Sequence, residues 1–173
     1  HFGSKEALLS AALERRFDPV NRKRLELLDA AEAEAGNQPL ELEAVLRAFL
    51  APPFQQRQEW GEAGVKFMQM VGRMYSETNE QFRSSFLQLF DPIVQRFLPA
   101  FQRTLPHLGP DEVSWRILFL IGAMAHTMTW GELIGFLGGR RPRHPDEAME
   151  ALVAFALGGM AASTRAGAAV PAR

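Results

Sequence analysis

Cysteine is absent from the 173 residues, and tyrosine occurs once, at Tyr75. Without thiols the chain can build no disulfide scaffold, thiolate zinc site or cysteine nucleophile, and its make-up suits a reducing cytoplasmic setting. A surplus of one charge sign is also missing: 19 Lys and Arg stand against 20 Asp and Glu, a formal net charge of −1. That balance provides no overall basic field for nucleic acid, so any DNA contact must be local. The longest uncharged run, residues 117–131, is shorter than the roughly 20 residues that span a bilayer, and no membrane partner is expected. Strand signals are lacking too, since no run alternates Val, Ile, Thr and aromatics. The first residue is His1 rather than Met, with no leader-like segment near it, and a start inside a longer protein is expected.

What is present is helical periodicity in a chain of one-domain size: apolar residues recur at three- and four-residue spacing almost throughout. The pattern predicts an all-α fold. A first helix starts after Ser4 as cap and runs to Gly36, kinked at Pro19. A second spans about 40–50, stopped by Pro52-Pro53, and a third about 55–75. Thr78-x-x-Gln81 has the form of a capping box and opens a fourth. Asp91-Pro92 restarts the helix over 93–105, and Pro110-Asp111-Glu112 opens a long one to about 136. Pro145-Asp146-Glu147 repeats that start signal before a last helix over about 148–164. Charge is uneven along the chain: residues 1–24 carry six basic and three acidic groups, residues 25–62 two basic and eight acidic.

Catalytic constellations are missing. The residues three before His107, His126 and His144 are Thr104, Ala123 and Arg141, so no Glu-x-x-His pair offers a di-metal site. Phosphate-loop, dinucleotide, zincin and nucleophile-elbow motifs are likewise absent. No catalytic residue, metal or cofactor is expected. His126 stands among Met124, Met128 and Trp130, where it could meet a ligand or simply hydrogen-bond at a packing face. The 13 Phe and 7 Met could wall an apolar pocket or simply fill core. Arg140, Arg141 and Arg143 read as a solvated connector. Glycine inside a helix costs up to about 1 kcal/mol against alanine, so the small residues of the last two helices imply that another backbone comes close. On the long helix Ile117, Ile121, Met124 and Met128 form one apolar stripe, with Trp115, Phe119, Gly122, His126, Thr129 and Leu133 roughly opposite. One stripe could face the chain's own core and the other a second subunit; a central helix of one monomer stays open.

The opening His1-Phe2-Gly3-Ser4-Lys5-Glu6-Ala7-Leu8-Leu9 resembles the stretch by which regulators of the TetR (tetracycline-repressor-like) family leave the recognition helix and enter their fourth helix. That pattern runs Tyr-x-His-Phe, a polar pair, then Lys, an acid and a leucine pair, and its tyrosine position falls upstream of His1. Residues 42–53 and 115–127 are similar to segments of one group of TetR C-terminal regulatory domains, so the likeness spans essentially the whole chain. It implies that helices carrying a helix-turn-helix precede His1, that residues 1–5 are the junction with them, and that 6–165 form the ligand-binding and dimerisation domain, with 166–173 a loose tail. It also implies a homodimer through the last two long helices, and Lys5 as a contact to a DNA phosphate.

The combined expectation is a cytoplasmic, non-enzymatic, ligand-responsive regulator, a repressor in bacteria, that meets operator DNA through the upstream helices. Its effector is expected to be a small hydrophobic or aromatic molecule with few charges, walled by Phe67, Met70, Phe86, Phe90, Met124 and Trp130, with His126 or Tyr75 as polar contact. The dimer face is expected at Trp115, Phe119, Gly122, Leu152, Phe155, Gly159 and Ala162. A helical-bundle enzyme or carrier with an apolar pocket is the alternative, and a helical adaptor without a small-molecule site is a third reading.

Overall fold

The computed structural model describes residues 5–74, 80–140 and 144–163, and every regular element in them is helical. In order these are α1 (Lys5–Ala35), α2 (Leu42–Met74), α3 (Glu80–Gln88), α4 (Asp91–Thr104), α5 (Pro110–Trp130), a 3-10 turn (Gly131–Gly135) and α6 (Pro145–Ala161). Prolines open α4, α5 and α6 within the first two positions, where a missing N–H has no intrahelical partner to lose, and acids stand in the same first turn against the dipole. α1 ends at Gly36, whose φ of 53° lets its N–H return to the Glu32 carbonyl at 3.1 Å. The Ser4 cap, Thr78 of the capping box and the tail beyond 163 lie outside the described residues.

The largest departure from the sequence reading is α2, which does not stop at Pro52-Pro53 but continues through both prolines. Pro53 leaves the carbonyl of Phe49 without its helical donor, and Arg24 of α1 supplies one: its Nε donates to that carbonyl at 2.8 Å. The break comes instead at Gly61, with φ 52° and ψ −128°, a conformation that suits glycine. After the kink the chain returns so closely that a Cβ on Gly64 would lie 2.6 Å from the Arg57 carbonyl oxygen. Gly61 and Gly64 thus permit one sharp bend together.

Two apolar clusters result. The larger joins α2, α4, α5 and α6, with Leu46, Leu50, Phe101 and Val153 among its buried members. The smaller joins Leu13, Val71 and Phe86, with Phe17, Phe67, Met70, Leu89 and Phe90 against it. Polar ties hold the helices in register. Arg96 and Arg103 of α4 pair with Asp29 and Glu32 of α1, so part of the acidic stretch has a structural use. Buried Arg116 of α5 donates to the carbonyls of Met160, at 2.7 Å, and Ala162, closing the C-terminal end of α6, while Glu112 takes its remaining donors at 2.9 and 2.8 Å.

Candidate functional site

A cavity of about 440 Å³ lies along the seam between the two clusters. Each wall follows from helical spacing. α1 presents Phe17, Val20 and Arg24; α2 presents Phe49, Pro53, Arg57, Trp60 and Gly64; α5 presents Ile117, Ile121, Met124 and Met128. Phe86 and Phe90, from α3 and the turn after it, and Ile93 and Phe97 of α4 complete the enclosure. Phe17 is the aromatic hub, with ring centroids 5.4 Å from Phe67, 5.9 Å from Phe86 and 5.0 Å from Phe90. Trp60 stands edge-on to Phe67 at 5.4 Å, and the Arg16 guanidinium lies 4.4 Å from its ring centroid.

Polar groups in this wall are few. Arg24, only 3% exposed, spans three helices: besides the Phe49 carbonyl it donates to Asn21 Oδ1 at 3.2 Å and to Met124 Sδ at 3.6 Å, and it lies 4.5 Å from the Phe49 ring centroid. Asn21 in turn donates to the Leu89 carbonyl at 3.1 Å, fastening the turn that leads into α4. Among the described residues Gln56, Arg57, Asp91 and Ser114 are the other polar members of the lining.

Of the residues anticipated as pocket wall, Phe67, Phe86, Phe90 and Met124 line this cavity, brought together from α2, α3, the turn after it and α5. Met70 packs against the smaller cluster without lining the cavity. Trp130, expected to point inward, is instead 51% exposed at the end of α5, because the helix has turned that position away from the seam; Trp60 is the indole in the wall. His126 is exposed on the outer side of α5, off the cavity. Tyr75 and the Lys5 side chain lie outside what is described. The sequence reading missed Arg24 and Arg57.

The outer faces of α5 and α6 carry most of the residues expected at a dimer face. Trp115 and Phe119 stack at 5.9 Å and are exposed, as is Phe155 at 71%. A Cβ added at Gly122, Gly158 or Gly159 would meet nothing within 4 Å, and Ala162 is exposed. Leu152 belongs elsewhere: at 6% exposure it is part of the large core, since position 152 falls on the α6 stripe with Met149, Val153 and Ala156. Among the described residues no helix is long and apolar enough to cross a membrane, and no three His, Asp or Glu gather where they could hold a metal ion.

Residues 47–159 match the family model described as "Tetracyclin repressor-like, C-terminal domain", nearly two thirds of the chain. The chain belongs to that family of regulatory domains, and its all-α bundle agrees with the membership. A search of curated proteins finds no match.

Proposed function

We propose that this chain is the effector-binding and dimerising part of a cytoplasmic, ligand-responsive transcriptional repressor, and that the cavity between the two clusters is its effector site. The supporting observation is the cavity itself: about 440 Å³, walled by phenylalanine, isoleucine and methionine from five helices of a tetracycline repressor-like C-terminal domain. Occupancy by an apolar molecule would set the spacing of α1 against α2 and α5, which Arg24 ties together, and α1 leads toward the residues that resemble a junction with DNA-binding helices. Operator contact then belongs to a helix-turn-helix upstream of His1, with Lys5 on a phosphate. Two copies would meet through the exposed faces of α5 and α6.

The test is a neutral fluorescent probe, N-phenyl-naphthylamine, titrated into the protein. Binding should be saturable, should raise the melting temperature, and should quench Trp60 by energy transfer. Ile121→Trp fills the cavity without removing any polar group, and should weaken the probe at least about tenfold while the circular dichroism stays helical. Equal affinity in Ile121→Trp would show that the cavity is not the binding site.

A further inference from the structure

We infer that the effector carries one anionic group, and that Arg57 receives it: the ligand class is a compact aryl carboxylate, its rings among the phenylalanines and its carboxylate on the Arg57 guanidinium. The inference rests on the reading of the cavity as an effector site and adds the chemistry of what enters it. Arg57 Nε is buried and finds no hydrogen-bond acceptor. A buried N–H without a partner is costly, and an arginine cannot shed its charge to escape the cost.

The other polar groups of the lining are already committed. Arg24 donates to Phe49, Asn21 and Met124; Ser114 Oγ donates to the Pro110 carbonyl at 2.9 Å; Gln56 Nε2 donates to Glu59 at 3.2 Å. Asp91 is exposed in the first turn of α4, where the helix dipole favours its charge. Among the described lining residues, Arg57 is the one with a buried donor that no acceptor answers.

A neutral acceptor would satisfy the N–H but leave the charge balance untouched. Among the described residues two arginines and one aspartate line the cavity, a positive excess that an anion, and not an amide or alcohol, offsets. Guanidinium geometry favours the planar, two-oxygen carboxylate over a point anion. Arg57 is also held in place. Its main chain is clasped by the return of Gly64, and Trp60, one turn along α2, offers an aromatic wall beside it. The expectation of a ligand with few charges becomes a ligand with one.

The experiment compares naphthaleneacetate with naphthaleneacetamide, equal in shape and different in charge, each displacing N-phenyl-naphthylamine at neutral pH. In the unmodified protein the acid should bind at least about tenfold more tightly than the amide. Arg57→Gln should abolish that preference, so that acid and amide displace the probe equally well from the variant, whatever the probe's own affinity there. Arg22→Gln removes an exposed arginine, paired with Asp18, that does not line the cavity, and should leave the preference intact. A missing preference in the unmodified protein, or one that survives Arg57→Gln, overturns the anchor while saturable binding of the neutral probe keeps the cavity reading. If probe, acid and amide all fail to bind, the cavity reading falls and the anchor with it.

Discussion

At the scale of single residues, the proline in α2 and the arginine in α1 act as one unit. Pro53 removes the amide that would bond the Phe49 carbonyl, and Arg24 replaces it from a neighbouring helix. Arg24→Met should therefore destabilise the fold by about 2–3 kcal/mol, because a buried carbonyl loses a charged donor. Pro53→Ala restores an in-helix N–H for that same carbonyl, so it should gain more in the Arg24→Met background than alone. The coupling in the double-mutant cycle should be on the order of 1 kcal/mol, read from urea midpoints. Strict additivity would mean that the Phe49 carbonyl does not depend on Arg24. Both arginines of the cavity left a trace in the sequence: Arg24 interrupts the apolar spacing Leu13, Phe17, Val20, Leu28, and Arg57 interrupts Phe49, Pro53, Trp60. A charge inside an apolar stripe is either buried with partners or faces a site, and spacing alone does not say which.

At the scale of helices, local chemistry was readable and tertiary chemistry was not. The starts of α4, α5 and α6 depend on a proline and adjacent acids within one turn, and they stand within a few residues of where the pattern puts them. The continuity of α2 through Pro52-Pro53 depends on a side chain 29 positions before Pro53, and so the pattern implies a stop that the fold overrides. Between α2 and α6 an ion pair adds to the apolar packing: Arg47 Nη1 and Nη2 lie 2.7 and 2.8 Å from the two oxygens of Glu150, while its Nε reaches Glu43 at 2.8 Å. Those bonds, to Glu150 first and Glu43 second, hold Arg47 more firmly protonated than usual, and Arg47 holds the Glu150 carboxyl below the ordinary carboxylate range. A lowered acid pKa in the folded state contributes stability above its unfolded value and loses it as pH falls through the folded one. Glu150→Gln should hence lower the melting temperature slightly at pH 7 and flatten its decline between about pH 5 and pH 3. Both effects should shrink in high salt, since the pair is solvent-exposed. Parallel pH profiles for the two proteins would show that the pair contributes nothing to folding.

At the scale of the whole molecule, the cavity and the outer faces follow from one fact about α5. Its inner stripe, Ile117, Ile121, Met124 and Met128, serves the cavity, and its outer stripe, Trp115, Phe119 and Gly122, faces away from the chain's own core. That division of stripes was legible because both are periodic; the occupants of the two sides were not, because periodicity is the same whether an apolar face meets core, ligand or partner. The glycines of α6 separate these possibilities. Gly159 is helical, and a methyl group there would touch none of the described residues, so in an isolated subunit Gly159→Ala should stabilise the helix by about 0.8–1 kcal/mol. If the face instead meets the same face of a second copy, the methyl holds two backbones apart and the dimer weakens although the subunit gains. Sedimentation equilibrium should then show the dissociation constant of Gly159→Ala raised roughly tenfold or more. Phe155→Ala should weaken the dimer in the same assay with little cost to the subunit, because its ring is mostly exposed there. A Gly159→Ala protein that is more stable at every concentration, with no change in oligomeric state, would remove α6 from the interface and leave its two glycines without a physical reason.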